Sequence, residues 1–117
     1  MPIQPDITAY LEAAVRAAQM RETAIANNIA NMGTAGYRRR AVQFEQTLAE
    51  AIKRGNVSED DFKAQIFSPM NTPVDERGND VSIDQEIGDM VQNTGAYKTY
   101  LRLLSKMYRQ METAINS

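Results

Sequence analysis

Apolar residues recur every three or four positions along the first third of the chain. The positions are Ile7, Leu11, Ala14, Val15, Ala18, Ile25, Ile29 and Met32. Since an α-helix completes a turn in 3.6 residues, this spacing places them along one face of a helix. The pattern predicts a helix over residues 7–32. The segment is also rich in alanine, which favours helix but buries little area per residue.

Both ends of this helix carry residues that begin or end helices. Asp6 precedes the first apolar position, and its carboxylate can accept hydrogen bonds from the free backbone N–H groups of the first turn. Gly33 follows the last apolar position and is expected to end the helix in the left-handed conformation. Thr34 and Gly36 then predict a tight turn.

The last third of the chain carries the most regular pattern, in alternating steps of four and three residues. This row, called the heptad seam below, consists of Ile83, Ile87, Met90, Thr94, Tyr97, Leu101, Leu104, Tyr108, Met111 and Ile115. It predicts one helix over residues 83–115, about 50 Å long at about 1.5 Å per residue. Ser82 and Gln85 fit a capping box at its start, where Asp84 and Glu86 suit the helix dipole.

The middle of the chain is less regular. The stretch AVQFEQTLAEAIKRG predicts a short helix within residues 41–54, through Val42 or Phe44, Leu48 and Ile52. Residues 55–81 hold most of the Gly, Pro, Asn and Asp of the chain, which indicates a connector with only a short extended piece at residues 64–67. We expect this connector to be mobile.

These elements predict an all-α fold. Two long terminal helices pair as an antiparallel coiled-coil hairpin, and an irregular connector carries the short helix. The chain divides into an N-terminal helical segment (residues 1–32), a connector with a turn motif and a flexible loop (33–81) and a C-terminal helical segment (82–117).

Two helices alone rarely bury enough surface to offset the entropy of ordering them. The C-terminal helix also carries a second apolar row beside the heptad seam, made of Tyr100, Leu103, Met107 and Ala114. One partner helix cannot cover both rows. Either the short helix folds back onto the second row and makes a three-helix monomer, or copies of the protein or its relatives cover that row in an assembly.

Composition excludes several classes of chemistry. The 117 residues suffice for one domain, and their formal net charge of −2 gives no preference for nucleic acid. The sequence has no Cys and no His, which removes thiolate nucleophiles, imidazole bases, disulfides and the usual zinc ligands. Acidic runs at residues 59–61 and 75–76 lack the spacing of a calcium loop. We expect no catalytic, cofactor or metal site, no small-molecule substrate and no cleaved signal peptide.

The exit of the first helix carries a motif that resembles the bacterial flagellar basal-body rod proteins. It has the form N-I-A-N-x-x-T-x-G-Y and consists of Asn28, Ile29, Ala30, Asn31, Thr34, Gly36 and Tyr37. Arg38 and Arg39 follow it, and Phe44 and Glu45 lie downstream, as in that family. Ala35 stands where the family usually has proline. The resemblance extends to the closing helix, so that the two regions cover about 70 residues in total.

The resemblance implies a structural subunit whose terminal helices form a coiled coil in the inner tube of the helical rod. Its implied partners are copies of itself, other rod proteins, the base of the export channel and the membrane-ring complex. It also implies type III export without signal cleavage and a periplasmic place in the basal body. The connector leads directly into the closing helix, which indicates a proximal rod protein, with its sister proximal protein as the competing assignment. A small helical adaptor that binds a partner helix is the alternative function.

Two groups of candidate residues remain to be placed. For Asn28 and Asn31, capping of the helix end and a hydrogen bond to a neighbouring subunit both remain open. Arg38, Arg39 and Arg40 suit salt bridges to a neighbour or solvation better than phosphate binding, because no second basic cluster accompanies them. The expected subunit-packing residues are Leu11, Ile25, Ile87, Met90, Tyr97, Leu101, Leu103, Leu104, Met107, Tyr108 and Met111.

Overall fold

The computed structural model of the protein describes residues 6–116. Its elements are α1 (Ile7–Ala30), β1 (Ala41–Gln43), α2 (Glu45–Arg54), a 3₁₀ helix (Glu59–Phe62), β2 (Gln65–Phe67) and α3 (Ile83–Asn116). The molecule is elongated, with extents of 63 × 28 × 16 Å. Residues 1–5 and 117, which complete the predicted terminal segments, lie outside the described part.

Helix α1 begins as predicted, but a different residue from the predicted one caps its C-terminal end. The Asp6 side chain accepts a hydrogen bond from the Thr8 N–H at 3.0 Å. The helix ends at Ala30, and Asn31 caps it with a negative φ of −108°. Closure by a left-handed Gly33 is wrong, because Gly36 and not Gly33 adopts a positive φ. Asn31 makes a left-handed residue unnecessary here: its backbone N–H and its Nδ2 both donate to the carbonyl of Asn27.

Helix α3 confirms the helix predicted over residues 83–115 and extends to Asn116. Its start contains half of the predicted capping box. The Gln85 N–H donates to Ser82 Oγ at 3.4 Å, but Gln85 Oε1 accepts from Thr72 Oγ1 of the connector. Glu86 is buried in a salt bridge with Arg39, so its role goes beyond the helix dipole.

The prediction of an all-α fold is incomplete, because strands β1 and β2 form a small antiparallel sheet. Val42 lies opposite Ile66, and the adjacent pairs are Ala41 with Phe67 and Gln43 with Gln65. The predicted extended piece is confirmed as β2. The predicted short helix begins only at Glu45, because residues 41–43 form β1 and Phe44 is the N-cap of the helix. Three residues are too few to show a strand period in the sequence.

The core lies where α2 packs on the alanine face of α1. Its buried cluster consists of Ala13, Ala14, Ala17, Phe44, Leu48, Ala51 and Val57. The ring of Tyr10 lies 6.0 Å from that of Phe44 and 6.4 Å from that of Tyr100. The cluster around α2 therefore covers Tyr100 of the second row, whereas Leu103 remains 44% exposed.

Helices α1 and α3 pack against each other, and polar contacts join them at three levels. Asn28 contacts Glu86, the carbonyl of Ala18 accepts from Asn93, and Glu12 accepts from the Tyr108 hydroxyl. These contacts hold α3 beside α1 over most of the length of α1.

Candidate functional site

The motif predicted from the sequence forms a turn between α1 and β1, and the end of the connector holds it in place. Gly36 adopts a φ of +76°, a conformation that side chains disfavour. Its N–H donates to the carbonyl of Arg77 at 2.8 Å. Asn79 is buried and donates its Nδ2 to the carbonyls of Asn31 and Thr34, both at 2.8 Å. The end of the connector is thus bound to the motif.

A short loop at the end of the connector orders Asn79. Asp75 Oδ1 accepts from the backbone N–H groups of Asn79 and Arg77, and these hydrogen bonds hold the pKa of Asp75 below its ordinary value. The Asp75 N–H in turn donates to the carbonyl of Asn79. Asp75 therefore shapes the loop.

Asn28, in the last turns of α1, is fully buried and is the centre of the site. Its Nδ2 donates to the carbonyl of Arg40 at 2.9 Å and to Glu86 Oε1 at 2.8 Å. Its Oδ1 accepts from the Arg40 N–H and from the Tyr37 hydroxyl, both at 2.9 Å. Burial raises the pKa of Tyr37; Arg40 opposes this rise and Glu86 adds to it.

Arg39 forms the charged part of the site. Its Nε donates to Glu86 Oε1 at 2.9 Å, and its Nη2 donates to Asp89 Oδ2 at 3.0 Å. Its backbone N–H donates to Asp80, which also receives Arg38 Nε at 3.2 Å. Arg39, Asp80 and Glu86 are buried, with Glu86 completely inaccessible. We call Asn28, Arg39, Asp80 and Glu86 the buried polar cluster.

The cluster leaves no buried polar side-chain atom without a partner within residues 6–116. This matters because a buried charge without a partner costs far more than a paired one. Its four members come from α1, the irregular segment between the motif and β1, the end of the connector and the start of α3. The arrangement therefore needs four separate segments of the chain at once.

A second polar group joins α1, α2 and α3 near the middle of the molecule. Arg21 Nη2 donates to Glu45 Oε1 at 2.9 Å and to the carbonyl of Val42 at 3.1 Å. The Tyr100 hydroxyl donates to Glu45 Oε2 at 2.9 Å. Burial, followed by the hydrogen bond to Glu45, raises the pKa of Tyr100. Asn93 donates its Nδ2 to the carbonyl of Ala18 at 2.9 Å.

Within the single chain, the motif residues and the arginines after them have partners of their own. The side-chain contacts of Asn28 all lie within the chain, and Asn31 caps the helix and accepts from Thr34 Oγ1 at 3.0 Å. Arg38 and Arg39 pair with carboxylates of their own chain. Ile29 is half-buried, while Ala30 and Arg40 are exposed.

Sequence reasoning missed Asn79, Asp80 and the partnership of Glu86 with Arg39. The carboxylates that Arg38 and Arg39 contact within the chain lie outside the acidic runs at residues 59–61 and 75–76. A signal was present in the row Glu86, Asn93, Tyr100 and Met107, spaced by seven residues, because its two polar members fall where a helix packed on a neighbour is usually apolar. Of these four, Glu86 and Asn93 are the buried residues of α3.

The predicted packing residues fall into three groups by their burial in the single chain. Leu11 and Ile25 are buried in α1, and Tyr97, Leu104 and Met107 are half-buried. The exposed ones are Ile87, Met90, Leu101, Leu103, Tyr108 and Met111. An exposed row of large apolar residues along one helix is typical of a surface that another protein covers.

The described part of the chain holds no cluster of acidic side chains arranged to bind a metal. None of the helices between residues 6 and 116 is long and apolar enough to cross a membrane. What the site can do is hold helices together, because its polar atoms are occupied by one another.

Long paired helices, an internally bonded motif turn and an exposed apolar row define a helical structural subunit. Comparison with known proteins agrees with this class. No family model matches the chain. The chain is similar to the flagellar basal body rod protein FlgB of Bacillus subtilis (strain 168), with 28% identity over 115 residues that cover 90% of this chain and 89% of that protein. This similarity confirms the resemblance to the flagellar rod proteins, and to FlgB in particular.

Proposed function

We propose that this protein is a structural subunit of the bacterial flagellar basal-body rod. The observation that carries the proposal is the similarity to FlgB, which runs along nearly the whole of both chains. A similarity of this extent involves much more than the one motif. In this proposal the protein contributes to motility by assembling into the rod. This role requires no cofactor, no small-molecule substrate and no catalytic activity.

We infer that α1 and α3 form an antiparallel coiled-coil pair in the assembled rod. The order of their contacts supports this, because Asn28, Ala18 and Glu12 of α1 meet Glu86, Asn93 and Tyr108 of α3 in reverse order of sequence. In this proposal the exposed residues of the heptad seam and Leu103 pack against neighbouring subunits. The single chain therefore leaves apolar surface exposed that only a helical assembly of subunits covers.

The proposal keeps the division of the chain into terminal helical segments, residues 1–32 and 82–117, and a connector, residues 33–81. The motif residues then shape the connector, and the terminal segments supply the subunit contacts. We propose other rod proteins, the base of the export channel and the membrane-ring complex as partners. In this proposal the protein is exported by the type III apparatus and lies in the rod, on the periplasmic side.

Two alternatives are weaker. Assignment to the sister proximal rod protein, FlgC, has no comparison in its favour, whereas the match to FlgB is direct. A small helical adaptor would use the same exposed row to bind one partner helix. The similarity to a rod protein does not favour it.

The test is incorporation into the rod of the source bacterium. We expect that deletion of the gene abolishes motility, that the intact chain restores it, and that basal bodies isolated from the restored cells contain the protein. A control chain that carries Leu103→Asp should be produced and exported but should not be incorporated. Full motility with the protein absent from isolated basal bodies would contradict the proposal and favour the adaptor.

A further inference from the structure

The apolar contact between α1 and α3 offers few features that fix how the two helices are aligned. The buried apolar residues of α1 are mostly alanines: Ala13, Ala14, Ala17, Ala18 and Ala24, beside Leu11 and Ile25. Ala13, Ala14 and Ala17 pack mainly in the cluster with α2, and the buried residues of α3 are the polar Glu86 and Asn93. Burial of apolar area therefore distinguishes the native alignment only weakly from one displaced by a heptad.

Two buried polar contacts, in contrast, depend on position. In the first, Glu86 of α3 accepts from Asn28 of α1 and from Arg39, which the motif turn brings to the same place. In the second, Asn93 of α3 donates to the carbonyl of Ala18 of α1, and its Oδ1 lies 3.4 Å from Arg21 Nη1. Glu86 and Asn93 are seven residues apart on the same face of α3.

We infer that Glu86 and Asn93 are register pins, which select a single alignment of α3 against α1. If α3 slides by a heptad, Glu86 moves away from Asn28 and Arg39, and the buried salt bridge between Glu86 and Arg39 breaks. Asn93 would lose the Ala18 carbonyl in the same movement. In coiled coils a single buried polar residue can fix register in this way, at some cost in stability.

This inference gives the motif a role distinct from a subunit contact. The motif turn delivers Arg39 and the Arg40 backbone to the end of α1, where they complete the pocket that receives Glu86. A fixed register means that every copy presents the exposed residues of the heptad seam at the same height relative to α1. An assembly of repeating contacts requires such identical copies.

The competing explanation is that these polar residues only stabilise the fold. The two explanations differ in what an apolar replacement does, because replacing a buried ion pair with apolar residues of similar volume is often neutral or stabilising. A pin that is replaced in this way leaves the helices paired but lets them slide.

The experiment measures the register directly by the distance between two spin labels. The chain has no cysteine, so labels can be placed at Gln19→Cys on α1 and Arg102→Cys on α3, both at exposed positions. The test variant is Arg39→Met/Glu86→Met/Asn93→Leu in this background. The matched control is Asn93→Leu alone, which retains the Glu86 pin.

We expect one narrow distance in the labelled parent and in the control. In the triple variant we expect a second population displaced by about 10 Å along the helix, the length of one heptad, with helical circular dichroism retained. The triple variant should also fail to support motility although it folds. One narrow distance in the triple variant would overturn the inference.

A second variant covers the case in which the triple variant does not fold. Glu86→Gln/Asn93→Leu keeps the volume at residue 86 but removes the charge that Arg39 requires. A minor displaced population is expected there. Loss of helical circular dichroism in both variants would show that the residues supply stability rather than register, and the inference would be wrong.

Discussion

Asn28 on α1 donates its Nδ2 to Glu86 on α3 at 2.8 Å, across 58 residues of sequence. One amide thereby joins the end of the first long helix to the start of the last. The other hydrogen bonds of Asn28 hold Arg40 and Tyr37, so this side chain also holds the motif turn. Asn28, the first residue of the motif, therefore joins three segments of its own chain.

Asn28→Ala should lower the free energy of unfolding by about 3 kcal/mol, because it leaves several buried polar groups without a partner. Asn31→Ala is the matched control, since Asn31 is less buried and bonds only at the helix end; we expect a loss of about 0.5–1 kcal/mol. Urea unfolding followed by circular dichroism gives both values. Equal losses for the two variants would contradict the central place of Asn28.

Arg39→Met should cost about 3–5 kcal/mol, because Glu86 stays buried without its cation. The double variant Arg39→Met/Glu86→Met should recover most of that loss, since it removes both charges together. The control is Arg40→Met, whose side chain is exposed; its effect should remain within about 0.5 kcal/mol. A double-mutant cycle on unfolding free energies measures the coupling, and additive losses would argue against a direct pair.

Gly36→Ala should destabilise the protein by about 1–2 kcal/mol, because an L-residue is strained at its φ of +76°. Gly33→Ala should be neutral or slightly stabilising. The φ of Gly33 is not positive, and no atom lies within 4 Å of the position that a Cβ would take. Thermal unfolding of the two variants side by side checks the pair. A larger loss of stability for Gly33→Ala than for Gly36→Ala would indicate that Gly33 is the residue that ends α1.

The Glu45 carboxylate should make the free energy of unfolding depend on pH in the acidic range. Burial acts to raise the pKa of Glu45, but hydrogen bonds from Arg21, its own backbone N–H and Tyr100 together hold that pKa below the ordinary 4.5. Since the folded state then binds the proton less tightly than the unfolded state, the stabilisation is present above pH 4.5 and is lost as the pH falls through the folded pKa.

Glu45→Gln should therefore lower stability at pH 7 by about 1 kcal/mol, after allowance for solvent screening of this partly exposed group. The difference from the parent protein should shrink as the pH falls below 4.5, the ordinary value. Unfolding free energies measured from pH 7 to acid give the difference curve. Glu50→Gln, on the exposed side of α2, serves as the control. A difference that grows towards acid would have the wrong sign.

Leu103→Asp should prevent assembly while the free chain still folds, because Leu103 is 44% exposed in the single chain. Leu104→Asp should affect both assembly and folding, since Leu104 is half-buried. Gln110→Asp, also exposed on α3, controls for the added charge. Sedimentation reports assembly and circular dichroism reports folding. Assembly of the Leu103 variant at the parent level would exclude the second row as a contact surface.

The sequence by itself determined the features that repeat along the chain. Apolar steps of three and four residues predict α1 and α3 nearly to their observed ends, and Asp6 marks the start of α1. The residues from Asn28 to Tyr37 carry the resemblance to the flagellar rod proteins. These features are local or periodic, so their physical cause lies within a few turns of helix.

Only the tertiary structure decided which residues meet across the chain. Arg39 pairs with Glu86 and Asp80 rather than with the acidic runs at residues 59–61 and 75–76. Helix α3 packs against α1 with the face that carries Glu86 and Asn93, while much of the heptad seam is exposed. The three-residue strands β1 and β2 form only because they meet each other. Such pairings depend on how distant segments are aligned, and the apolar pattern of one helix contains no information about that alignment.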